Sequence, residues 1–173
     1  MSVLVVDIGS SSVRALLFDA QARPLGGHVA RRLYSFYVTP DGGSSVAVDE
    51  LRAMAEACID DVLASAHGVE PITAVGMATF VGNLLGVDAG GAPVTPVYTY
   101  ADSRAAPDVE ALRPHIDADA VHTRTGCVHH TAYHPGRLHW LRRTRPERFA
   151  QVRRWLAQTV GGWTIWSQNC QYV

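Results

Sequence analysis

Asp7-Ile8-Gly9-Ser10-Ser11-Ser12-Val13-Arg14 is the stretch whose residue types and spacing most clearly suit chemistry. A glycine followed by three small hydroxyl residues, set in a turn between two strands, lets successive backbone N–H groups face one anion as a nest. The serine hydroxyls add donors, and Gly9 allows the backbone to come close to a ligand. Asp7 ends the preceding apolar run and stands beside that anion. A carboxylate there is repelled unless a cation intervenes, and Mg²⁺ suits the place because it keeps several waters and takes few carboxylates. The same residues also make an ordinary hairpin, with an aspartate capping a Gly/Ser turn.

The elements that must position this stretch can be read from the pattern around it. Val3 to Val6 is a short apolar run of the kind a buried central strand requires, and Val13 to Phe18 resumes a strand pattern, so the pair reads as a β-hairpin. Gly27 to Tyr34 forms a third strand after the turn at Asp19 to Pro24, and residues 39–45 make a loop. Asp49 is placed to cap a helix running to about Ala66, whose buried face is Leu51, Met54, Ala55, Cys58, Ile59, Val62 and Leu63. Strands follow at Ile72 to Ala78 and Leu84 to Val87, and Pro93 to Tyr100 is extended. Beyond Asp102 the spacing predicts helices over 105–112, 118–122, 137–143 and 146–156. Hairpin, helix, strand and then mostly helices make an α/β layered domain.

Composition closes several routes. With 15 basic and 16 acidic side chains in 173 residues, nothing draws the chain electrostatically to nucleic acid or an anionic membrane. Every basic residue is Arg and Lys is absent, which rules out a phosphate loop of the Walker kind, since that loop needs its lysine. Cys58, Cys127 and Cys170 are odd in number and widely spaced, which fits neither a disulfide framework nor a zinc site and suits a reducing cytoplasm. No signal peptide or membrane span is legible. His122, His129, His130, His134 and His139 crowd one region, yet without an acidic or cysteine partner at ligand spacing they read as surface and packing residues. The seven arginines from Arg137 to Arg154 read as a solvated helix face.

Residues 7–19 with Ala20-Gln21-Ala22-Arg23-Pro24-Leu25 resemble the opening of the FGGY carbohydrate kinases. Ile72 to Gly76 and Leu84 to Pro96 resemble that family's next segment, and Tyr100-Ala101-Asp102-Ser103-Arg104-Ala105 its W-x-D-x-R stretch with Tyr in the Trp place. Thr125-Gly126 and Tyr133 to Leu141 resemble the helical segment that follows, in a style closest to gluconokinase-like proteins. The resemblance implies an α/β fold of the actin-like ATPase (ribonuclease-H-like) type, a mixed sheet with flanking helices, in an N-terminal domain spanning 1–156. It implies ATP and Mg²⁺ as cofactors and a sugar or sugar acid as the small-molecule partner. On it, Asp7 organises the metal, Gly9, Ser10, Ser11, Ser12 and Arg14 hold phosphate, and Val81, Gly82, Asp102, Arg104 and Tyr133 stand at sugar-contacting positions.

Asp102 is accordingly expected to face the same cleft as Asp7; its other reading is an N-cap for the helix near Ala105. Two departures stand out. Val81 and Gly82 offer no side-chain hydrogen bonds where the family places polar or aromatic residues, and the family's base, an Asp in a downstream Gly-rich segment, is not reached. From Trp155 to Val173 no charge occurs, so 157–173 is expected to be an atypical tail of a frameshifted or truncated, inactive fragment. The opening also resembles exopolyphosphatase-like hydrolases, but those lack the pattern of Leu84 to Pro96 and Tyr100 to Ala105.

Overall fold

The computed structural model describes residues 1–157; of the tail expected over 157–173, all but Ala157 lies outside the described residues. The chain divides into two compact units, one made of Met1–Phe36 and Val46–Phe80, the other of Tyr37–Ser45 with the chain from Val81 on.

The first unit is built on a four-stranded sheet in the order β3-β2-β1-β6, from β1 (Ser2–Ile8), β2 (Ser12–Asp19), β3 (Pro24–Leu33) and β6 (Ile72–Thr79). β1 runs antiparallel to β2 and parallel to β6, so the sheet is mixed. Alternation sets the faces: Leu4, Val6 and Ile8 of β1 are buried together with Val13, Ala15 and Leu17 of β2. Against them lie Val48, Leu51, Ala55, Cys58 and Val62 of α1 (Val48–Ser65). Each Val, Leu or Ile among them, fully buried, stabilises by roughly 1.5–3 kcal/mol.

Two details of α1 differ from expectation. The helix starts one residue before Asp49, with Ala47 in the capping position and no side-chain cap, because Val48 is drawn into the core. Asp49 and Glu50 instead sit in the first turn, where their charge complements the helix dipole. Leu63 is 46 % exposed, so the buried stripe is narrower than the apolar spacing suggests.

The second unit holds a small three-stranded sheet of β4 (Tyr37–Val38), β5 (Ser44–Val46) and β8 (Val97–Tyr98). Its helices are α2 (Ala106–Leu112), α3 (Ala118–Thr125), α4 (His134–Thr144) and α5 (Pro146–Gln151). Leu84, Tyr98, Ala105, Trp140 and Leu141 form its core, with Leu138, Phe149 and Trp155 packed on them. The helix expected over 146–156 stops at Gln151, and Arg154–Leu156 becomes a strand, β9, antiparallel to β7 (Leu85–Val87). All three residues of β7 are buried, so its backbone needs a partner, and β9 supplies one. Gly86 leaves room for the crossing: a Cβ there would lie 2.6 Å from Val152 Cγ2 and 2.9 Å from Trp155 Cζ3.

Candidate functional site

The hairpin places the Gly/Ser stretch at one end of the first unit's sheet. Register pairs run to Asp7 opposite Arg14 and Ile8 opposite Val13, leaving Gly9 to Ser11 to reverse the chain. The reversal is tight: Gly9 N–H donates to Ser12 O at 2.9 Å. The Gly9 amide is thus used within the turn, and the expected convergence of donors narrows to Ser10 and Ser11. Both are exposed, and neither amide is bonded to protein among the described residues, whereas Ser12 is buried. Two adjacent N–H groups and two hydroxyls facing solvent suit an anion such as a phosphate.

Asp7 accepts Arg14 Nε at 3.1 Å and also its Nη2, a cross-strand pair that follows directly from the register. Asp7 stays a quarter exposed and Arg14 about half, so both side chains reach solvent beside the turn. One accessible carboxylate matches the donor set of a Mg²⁺ that keeps most of its waters.

Residues far away in sequence lock this turn. Tyr34 N–H donates to Ser11 O at 3.1 Å and the Tyr34 hydroxyl donates to Gly9 O. Burial, with Glu50 nearby, pushes the Tyr34 phenol up to about 12, so it stays a neutral donor. At the end of β6, Thr79 lies opposite Ile8, and its buried Oγ1 has no protein partner. Phe80 N–H donates to Ile8 O at 2.9 Å. Neither Tyr34 nor Thr79 is a sequence expectation, since nothing local marks a residue that acts across 25 or more positions.

The positions expected to touch a sugar lie in the second unit. Val81 is 77 % exposed, Tyr100 48 % and Tyr133 40 %. Gly82 has φ +69° and stands against Tyr100, where a Cβ would fall 2.9 Å from the Tyr100 Cβ. Asp102 is different: it is buried, its Oδ1 accepting Arg104 N and Nε at 3.2 and 3.1 Å, its Oδ2 accepting Ser44 N at 3.1 Å and Arg104 Nη2 at 2.6 Å. An ionised carboxylate has about four acceptor sites, and all are engaged. The expectation of a carboxylate offered to sugar hydroxyls is corrected here: Arg104, two residues on, turns it inward. The N-cap reading is also excluded, because α2 begins at Ala106 with Ala105 in the cap position. Arg104 in turn stacks on Trp140 at 4.6 Å and Tyr98 at 5.8 Å, which makes it a brace of the core.

The Arg- and His-rich segment is less uniform than expected. Arg137 is 2 % exposed, not solvated, and Arg143 with His139 grips buried Asp108 of α2, an acidic partner that local spacing could not reveal. Among the described residues no three His, Cys, Asp or Glu gather as a metal site, and no helix is long and apolar enough to cross a membrane.

Residues 2–168 match the pattern of the FGGY family of carbohydrate kinases, N-terminal domain. A glycerol kinase of Halorhodospira halophila is 29 % identical over 171 residues, covering 95 % of this chain and 33 % of that protein. The fold superposes on a xylulose kinase from Rhodospirillum rubrum with a TM-score of 0.87 at 20 % identity, covering 93 % of this chain and 33 % of the other. A gluconate kinase from Lactobacillus acidophilus gives 0.80 at 20 % identity, covering 90 % and 31 %. The chain spans about a third of the length of these relatives.

Proposed function

The chain belongs to the FGGY family of carbohydrate kinases, with the actin-like α/β fold of that family's N-terminal domain, and we propose that it supplies the phosphate-gripping part of ATP-dependent transfer to a sugar or sugar acid, in the manner of a gluconokinase. The observation that carries this reading is the β1–β2 turn, with the Ser10 and Ser11 amides and hydroxyls exposed at its tip.

Phosphoryl transfer asks a protein mainly for positioning and charge stabilisation. Ser10 and Ser11 donate to phosphate oxygens, while Tyr34 and the Gly9–Ser12 hydrogen bond keep the turn from collapsing. Asp7 would hold Mg²⁺ through its water shell, and Arg14 balances the carboxylate and adds positive charge beside the phosphates. The metal, when bound, neutralises charge building on the phosphate oxygens. On the acceptor side, Tyr100 and Tyr133 present exposed aromatic surface, with Val81 and Gly82 leaving space. The free thiols of Cys58 and Cys127 suit a cytoplasmic setting.

Neither carboxylate assigned here serves as base, because Asp7 is committed to the metal and Asp102 to Arg104. The 173-residue chain alone is therefore expected to release no ADP in a sugar-dependent way when given Mg-ATP with gluconate, xylulose or glycerol. Turnover at ~1 per second or faster refutes this division of roles.

A further inference from the structure

We infer that Arg137 is the positioning residue of the acceptor surface: one buried guanidinium fastens the three loops that carry Val81 and Gly82, Tyr100, and Tyr133. The inference rests on the acceptor assignment proposed above. Arg137 Nη1 donates to Gly82 O at 2.8 Å, Nη2 donates to Thr99 O, and Nε donates to Thr131 O at 2.9 Å. Each carbonyl lies within two residues of a side chain assigned to the acceptor, and each belongs to a different loop. The loops also abut, since a Cβ on Gly82 would sit 2.9 Å from the Tyr100 Cβ and 4.0 Å from the Ala132 Cβ.

Three things set this arginine apart from an ordinary structural one. First, all three of its bonds go to neutral carbonyls rather than to a carboxylate, although it is 2 % exposed. Burial pulls its pKa down, and the charge of Asp102 opposes that. Taking a cation out of water is costly, and without it three carbonyls would be left without their donor, so a buried guanidinium there points to what it organises. Second, the guanidinium is a rigid planar fork with five donors, able to serve three acceptors in fixed directions, which an ammonium on a flexible stem cannot do. Third, its own backbone is anchored. Gly136 packs so closely on α2 that a Cβ would lie 2.4 Å from Val109 Cγ2, and Trp140 and Leu141 reach into the core. A site held from a helix is placed more finely than one held by its loops alone, and a 1 Å misplacement can reduce a transfer rate about 100-fold.

The test is hydrogen exchange on the full chain as wild type, Arg137→Met and Arg137→Lys. Amides in residues 81–83, 99–101 and 131–133 should exchange at least ~10-fold faster in Arg137→Met, as one set. Arg137→Lys should be intermediate, and residues 9–12 and α1 should not change. If Arg137→Met fails to fold, Arg137→Lys carries the same comparison. Loops that stay protected in the variant, or that loosen singly, overturn the role of Arg137. Alongside, gluconate, xylulose and glycerol are titrated by ligand-observed NMR, with Mg-ATP as control. Loss of sugar binding in Arg137→Lys with Mg-ATP binding kept is the expected split, which a general loss of stability does not produce. Equal loss of both contradicts it. A wild type that binds none of the three sugars overturns the acceptor reading of this surface, and the exchange result then judges the fastening of the loops by itself.

Discussion

Buried on α2, Asp108 accepts Arg143 Nε and Nη2 at 3.0 and 2.7 Å and meets His139 Nδ1 at 2.7 Å. The Arg143 guanidinium, and then His139, hold its carboxyl below the usual carboxylate range despite its burial. A depressed folded-state pKa means that this stabilisation is complete above the unfolded value, about 3.9, and is lost as pH falls through the folded value. Asp108→Asn should therefore lower stability by about 1–2 kcal/mol at pH 7, a figure kept modest because both partners are about half exposed. Thermal melts from pH 7 downward should show the gap to wild type closing below about pH 4; a gap independent of pH would exclude the charge as its cause. At this scale the sequence is legible where contacts are local. Asp7, Gly9, the serines and Arg14 are recognisable within eight positions, because a hairpin brings neighbours in sequence together in space. Tyr34, Arg137 and the Asp108 cluster are not, because each depends on a contact made across tens of residues.

Among the elements, the α2–α4 contact is the one most exposed to a single change. Gly136 lets α4 approach Val109, a β-branched residue with little freedom to turn aside. Gly136→Ala should cost about 1–3 kcal/mol through overpacking. Val109→Ala in the same chain should recover part of that loss, a coupling that a double-mutant cycle of melting curves measures. Additive losses would show that the two helices separate freely. The hairpin and α1 are readable from period and turn residues, since their apolar faces alternate or repeat cleanly. The chain after Phe149 was not: Val152 to Leu156 continues an apolar spacing compatible with a helix, and only the need of β7 for a backbone partner makes it extended. Asp49 likewise has the chemistry of a cap, but the pull of the core on Val48 moves the helix start past it.

For the whole molecule, family membership and fold are fixed together. The FGGY pattern runs from residue 2 to 168, and TM-scores of 0.80 and 0.87 accompany identities of only 20 %. The β1–β2 turn carries the proposed phosphate site, so the account turns on it. Titration of the ¹⁵N-labelled chain with Mg-ATP, against Mg²⁺ alone as reference, examines that site residue by residue. The predicted result is a saturable shift of the Gly9, Ser10, Ser11 and Ser12 amides with Asp7 and Arg14. Amides of this turn that stay in place while others move, or that stay in place at saturating nucleotide, would contradict it.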